Sequence, residues 1–163
     1  MSIFKIAFLL DKSNNWLEKD TKRFVYLYRG KKSFYKIFYD YRKIKNFDIV
    51  IVLGNTKIIA DDLLKKNKLN VTIHESNLPK NRGFSPIQYQ ILSNKNLIKF
   101  CLIELVKKVD AGDILCEINL KLNGDELYDE IRNLQSKTTF KLINKFLKKY
   151  PNFKRKKQKG KSN

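Results

Sequence analysis

Two apolar runs decide the fold: Asp48-Ile49-Val50-Ile51-Val52-Leu53-Gly54 and, upstream, Ile3-Phe4-Lys5-Ile6-Ala7-Phe8-Leu9-Leu10. Each is nearly unbroken in hydrophobicity, bounded by turn residues, and too short for a helix. Such runs belong to strands covered on both faces in a parallel sheet. The chain therefore reads as α/β, a single-domain, Rossmann-like fold with a mostly parallel central sheet. Working outward, apolar residues from Trp16 to Tyr28 recur at near-helical spacing after Ser13-Asn14-Asn15, and Ser33 to Tyr41 is an aromatic-rich strand candidate. A short helix is expected over 61–68, a strand over 70–74, and a helix over 86–93 opened by Ser85-Pro86. Strands at 97–106 and 114–122 follow, then a long helix from Gly124-Asp125 to Tyr150, stopped by Pro151.

The 163 residues suit one domain, expected over 1–150, with 42% hydrophobic content to close a core. Thirty-five Lys and Arg against sixteen Asp and Glu give a net charge of +19. That balance normally points to nucleic acid or an anionic surface. Lysine, isoleucine and asparagine make up 62 positions, however, a bias that A+T-rich codons produce by themselves, so charge alone assigns no partner. Residues 148–163 hold eight of the basic side chains and no acid, and 151–163 is expected to be a disordered basic tail. Between Lys22 and Lys45, nine basic residues interleave with aromatics, a pattern that single-strand binders use for stacking, although the periodicity turns most rings toward a core.

Several chemistries drop out by counting. One histidine and two cysteines fifteen positions apart fit no zinc spacing. Cys101 and Cys116 sit in apolar runs and read as buried thiols of a reducing, cytoplasmic compartment. The first apolar run meets Asp11 and lacks a cleavage site, so it is no signal peptide, and no eighteen-residue apolar stretch spans a bilayer. The six glycines fit neither the dinucleotide nor the P-loop fingerprint.

The chemistry concentrates in Asn70-Val71-Thr72-Ile73-His74-Glu75-Ser76-Asn77-Leu78-Pro79-Lys80-Asn81-Arg82-Gly83-Phe84-Ser85-Pro86 and in Lys108-Val109-Asp110-Ala111-Gly112-Asp113-Ile114. A strand delivers a histidine to its carboxyl end and enters a polar loop, which is where open α/β sheets place ligands. Strand alternation puts residues 70, 72 and 74 on one face, with Thr72 about 7 Å from His74 and Asn70 twice as far. A lone histidine is more often structural than functional, but the second hydrophilic turn offers a carboxylate, Asp110, that can be buried beside the imidazole.

These two segments resemble the formyltransferases that use 10-formyltetrahydrofolate, whose signature is a strand ending in His-x-Ser-x-Leu-Pro followed by an Asp-x-Gly loop. The wording His74-Glu75-Ser76 through Ser85-Pro86, with Leu10-Asp11-Lys12 and Trp16, is similar to a bacterial branch associated with amino-sugar modification. The likeness covers roughly residues 3–150 and is strongest over 70–124. It implies formyl transfer to a primary amine, with nucleotide-linked amino sugars as the expected acceptor. In that chemistry His74 serves the developing oxyanion and the departing amine proton, while Asp110 orients the imidazole. Thr72 stands where the family carries an asparagine aimed at the oxyanion. Losing one such donor costs about 3–4 kcal/mol in other enzymes, and the role could pass to the Thr72 hydroxyl or to a backbone N–H.

By the same resemblance the pterin end of the folate lies between the loop Leu53–Ile58 and the loop Val106–Asp110, with Leu53, Val106, Val109 and Asp110 as contacts. Lys80 and Arg82 are candidates for the anionic part of the acceptor, the guanidinium through bidentate contacts. Methionyl-tRNA and phosphoribosylglycinamide are the alternative acceptors. Against the first stands the separate C-terminal domain of tRNA-acting relatives, against the second the His-Glu-Ser wording. A different class of function, a catalytically degenerate fold that binds nucleic acid or a partner through the basic tail, also fits the composition. Relatives in this branch continue past the last helix, so the sequence is consistent with a truncated form.

Overall fold

The computed structural model describes residues 3–14, 16–30, 33–56 and 61–162. Asn15, in the expected helix start, and Lys57 and Ile58, in the expected folate loop, lie outside the described residues. In chain order the elements are β1 (Phe4–Leu10), α1 (Glu18–Tyr28), β2 (Ser33–Phe38), a 3₁₀ turn (Tyr41–Lys43), β3 (Ile49–Leu53), α2 (Asp61–Lys66), β4 (Asn70–His74), α3 (Pro86–Leu92), β5 (Leu97–Glu104), β6 (Ile114–Lys121) and α4 (Tyr128–Leu147). Hydrogen bonding orders the strands β2-β1-β3-β4-β5-β6. This is the Rossmann-like α/β fold with a mostly parallel sheet. Contacts cluster into two units, residues 1–72 and 73–163, divided within β4.

In the first unit β1 runs parallel to β2 on one side and to β3 on the other, and β3 runs parallel to β4. All five residues of β3 and residues 6–10 of β1 are buried, which explains why both runs lack alternation. Phe24 of α1 packs its ring edge-on against Phe8 at 5.8 Å and stacks on Tyr28 at 4.5 Å. The aromatic and basic region thus divides. Phe24 and Phe38 are core, whereas Tyr26 and Phe34 are 78% and 51% exposed.

After β1 and β3 the chain turns through loops that Asp11 ties together. Its carboxylate accepts hydrogen bonds from the backbone N–H and hydroxyl of Ser13 at 2.9 and 2.6 Å, and from those of Thr56 at 3.2 and 2.6 Å. Asn14 adds a bond from its amide to the Gly54 carbonyl at 2.8 Å. The bonds from Ser13 and then Thr56 hold the Asp11 carboxyl far below its ordinary range.

In the second unit β5 and β6 form an antiparallel pair with an irregularity between Leu102 and Ile103. Ile98 and Phe100 to Ile103 are almost fully buried, and Leu142, Ile143 and Phe146 of α4 share that burial. Glu130 caps α4 by accepting from the Leu127 N–H at 2.8 Å. In the β5–β6 connection Gly112 passes against Glu104, where a Cβ would overlap the Glu104 carbonyl. The adjacent Asp113 carbonyl accepts from the Glu104 N–H at 2.9 Å. No described helix is long and apolar enough to cross a membrane.

The stretch after Pro151 is not the free coil that its charge suggests. Phe153 packs on Phe146 at 5.1 Å and stacks with Tyr150 at 6.0 Å. Lys156 exchanges both backbone hydrogen bonds with Ile114 at 2.8 and 2.9 Å. Two rings and one edge-strand bridge offset the charge repulsion that sequence composition counts.

Two outcomes follow from these constraints. Gly112→Ala must displace the Glu104 backbone and is expected to cost about 2 kcal/mol or more in denaturant unfolding. Asp11→Asn is expected to lower the urea midpoint at about pH 7 by roughly 1 kcal/mol of stability. Because the folded carboxyl lies below its unfolded value of about 3.9, its contribution is full above that pH and fades as pH falls below it. The gap between wild type and Asp11→Asn should therefore narrow on acidification toward about pH 3.

Candidate active site

Strand β4 ends on His74, whose side chain is 6% exposed. Nδ1 lies 3.3 Å from Asp110 Oδ2, and Nε2 lies 2.6 Å from the Asn81 carbonyl oxygen. A carbonyl can only accept, so Nε2 carries the hydrogen and donates it to Asn81. A carboxylate oxygen faces the other nitrogen, so the ring is held at both of its polar atoms.

The loop from His74 to α3 is shaped by buried anchors. Leu78 inserts into a cluster with Cys101, Ile103 and Ile114. The Ser76 hydroxyl donates to the Lys80 carbonyl at 2.7 Å, and Lys80 N–H donates to Asn77 at 3.2 Å. These contacts give the Ser and Leu of the motif packing roles. Ser85 precedes α3 with Pro86 at its first position, as expected, but sits at φ 55° and makes no side-chain cap. Gln90 of α3 reaches back to the Glu75 carbonyl at 2.7 Å. The Glu75 carboxylate accepts from Gln135 of α4 at 2.9 Å, and burial raises its pKa above the ordinary value.

Asp110 reaches His74 from the β5–β6 connection. Its backbone is left-handed, with φ 50°, and its Oδ2 accepts the Gly83 N–H at 2.9 Å while facing His74. The close approach of Gly112 to Glu104 fixes the turn just beyond it. Thus the Gly of the Asp-x-Gly pattern is a steric requirement, and its Asp carries the charge.

Other expected site residues fare differently. Thr72 donates its single hydroxyl hydrogen to the Val52 carbonyl at 3.0 Å, a bond it would have to give up to act as an oxyanion donor. Leu53 is 2% exposed at the end of β3, which leaves its backbone, and not its side chain, for a ligand. Val106 and Val109 are 42% and 56% exposed apolar side chains in the turn that carries Asp110. Lys80 is exposed. Arg82 is not a free anion clamp, since Nε and Nη2 both donate to Gln158 Oε1 at 3.2 and 2.6 Å. Cys101 and Cys116 are buried and unpaired, and burial pushes the Cys101 thiol up to about 11, an inert range.

Three participants escaped the sequence reading. Asn81 acts through a backbone carbonyl, which any residue type supplies. Gln158 lies in the stretch expected to be coil, where its only signal was being the lone amide among lysines between 156 and 161. Asp11 organises the β3 loop through bonds 45 positions away. A cleft of about 450 Å³ runs between residues 77–80 and 156–161, and neither His74 nor Asp110 lines it.

The sequence matches the model of the formyl transferase family over residues 7–143. The methionyl-tRNA formyltransferase of Mycoplasmopsis pulmonis is 36% identical over 106 residues, covering 64% of this chain and 37% of that protein. A methionyl-tRNA formyltransferase structure from Clostridium thermocellum aligns with a TM-score of 0.83 over 99% of this chain and 71% of that one, at 24% identity. A sugar N-formyltransferase from a Shewanella species aligns at TM-score 0.72 over 98% and 76%, at 16% identity. At these identities the two structures speak for the fold. The chain spans about a third of the length of the curated relatives it matches. With the family match reaching from β1 into α4, this chain belongs to the formyl transferase family.

Proposed function

We propose that this chain transfers a formyl group from 10-formyltetrahydrofolate to a primary amine, with His74 and Asp110 as its working pair. The observation that carries the reading is the contact between His74 Nδ1 and Asp110 Oδ2 at 3.3 Å, with Nε2–H presented to a carbonyl oxygen. A formyl oxygen gaining negative charge needs that same kind of donor, held in a low-dielectric setting. Asp110 keeps the ring oriented, Nε2–H stabilises the oxyanion of the tetrahedral adduct, and the proton lost by the attacking amine ends on the departing folate nitrogen as the adduct collapses. In the structure Nε2 is covered by Asn81, so the segment after His74 must yield that position to substrate.

The exposed Val106 and Val109, flanking the Asp110 turn, offer an apolar surface that fits one face of a pterin ring. When bound, 10-formyltetrahydrofolate supplies an electrophilic formyl carbon on a nitrogen leaving group. Lys80 remains available for an anionic part of the acceptor, whereas Arg82 serves it only after leaving Gln158.

For the acceptor we favour the amino group of methionyl-tRNA, since the curated relatives at 29 to 36% identity carry that activity in their names and the +19 charge suits a polyanion. A nucleotide-linked amino sugar is the second reading, supported by the wording of the His74 to Pro86 segment. A non-catalytic binding module is favoured only by the committed Thr72 hydroxyl and the covered Nε2.

A formyl-transfer assay with 10-formyltetrahydrofolate, run on methionyl-tRNA and on a panel of nucleotide amino sugars, decides among them. Turnover is expected with wild type, and His74→Ala and Asp110→Asn are each expected to lower it by about 10²-fold or more. Equal product from wild type and His74→Ala overturns the site. Absence of turnover on every acceptor, with RNA binding that weakens steeply as salt rises, favours the module.

A further inference from the structure

We propose that Gln158 is a positioning residue, tying the loop after His74 to the turn that carries Asp110; for its effect on turnover this rests on the formyl-transfer reading. A glutamine amide has one oxygen with two acceptor sites and one nitrogen with two hydrogens. In Gln158 all four are used. Oε1 accepts from Arg82 Nε and Nη2 at 3.2 and 2.6 Å, and Nε2 donates to the carbonyls of Asp110 and Gly112, each at 2.8 Å.

The residues it joins are those that build the site. Arg82 sits between Asn81, whose carbonyl covers His74 Nε2, and Gly83, whose N–H binds Asp110 Oδ2. Asp110 and Gly112 bracket the turn whose carboxylate faces His74 Nδ1. The contacts therefore close into a ring: His74 to Asp110, the Asp110 carbonyl to Gln158, Gln158 to Arg82, and along the chain from Arg82 to Asn81, whose carbonyl returns to His74.

Two members of this ring hold uncommon backbone. Asn81 and Asp110 have φ of 56° and 50°, the left-handed region that side chains other than glycine adopt infrequently, Asn and Asp more readily than most. Such conformations persist when surrounding bonds over-determine them, and Gln158 supplies two of the bonds at the Asp110 turn. Its own place is set by the backbone pairing of Lys156 with Ile114, two residues earlier. Gln158 is also the half-buried residue in a run, 154 to 161, that is otherwise exposed. No other residue type of similar size can both accept from a guanidinium and donate to two carbonyls. Glutamate accepts but cannot donate, and methionine does neither.

The single histidine of the chain makes the test direct, because every imidazole signal in an NMR spectrum belongs to His74. The full chain is compared with Gln158→Met, Gln158→Glu and, as a control on the exposed neighbour, Lys159→Ala. Thermal unfolding confirms that each variant is folded. In wild type and the control, the Nε2–H signal should exchange slowly with solvent. In both Gln158 variants its exchange should speed by about tenfold or more as the loop loosens. In formyl transfer the same two variants should lose about tenfold in kcat with KM for the acceptor changed less than twofold, the pattern of misaligned chemistry. Unaltered Nε2–H exchange in both folded variants overturns the proposal, whatever the activity. Faster exchange in a protein whose wild type transfers no formyl group upholds the tie and defeats only the catalytic reading.

Discussion

An imidazole taken out of water must find partners for both nitrogens, and at His74 that demand draws two connections of the second unit together. With 6% of its side chain exposed, the ring is served by a carboxylate at Nδ1 and a backbone carbonyl at Nε2. Leaving either position empty costs about 1–3 kcal/mol, more where charge is involved. Two connections, one after β4 and one between β5 and β6, must therefore be brought to the same point. Each contains special backbone: left-handed conformation at Asn81 and Asp110, and a glycine at 112 where any side chain would overlap Glu104.

The elements themselves were legible because their causes are local. Burial on both faces makes β1 and β3 continuous apolar runs, and the strand expected at 70–74 matches β4 to the residue. The long helix, Tyr128 to Leu147, starts later than expected because the Glu126 and Glu130 carboxylates take up the N–H groups of Gly124 and Leu127 ahead of it. The pairing of His74 with Asp110 was anticipated by motif, and the structure brings the two side chains within 3.3 Å.

What was not legible acts through backbone atoms or through distant partners. The Thr72 hydroxyl bonds a carbonyl on the neighbouring strand, which only register reveals. Asn81 contributes an oxygen that its side chain does not advertise. The charge of residues 151–162 says coil, yet the deciding terms are Phe153 on Phe146 and the bridge from Lys156 to Ile114, separated by 42 positions in sequence. Composition counts charges evenly, whereas a fold is decided by the few residues that find a partner.

The covered Nε2 is compatible with chemistry at the same atom. A buried donor that awaited substrate without a partner would bear the desolvation cost throughout its idle time. The Asn81 carbonyl removes that cost while presenting the kind of group, an oxygen acceptor, that a formyl carbonyl also presents. An incoming oxygen need only match the bond it displaces, because the donor stays oriented by Asp110 throughout. An oxygen that gains charge does better than match, since a charge-assisted hydrogen bond is about twice as strong as a neutral one. On the proposed reading the exchange would be least favourable for a ground-state carbonyl and most favourable for an oxyanion, so displacing the Asn81 carbonyl would favour the transition state.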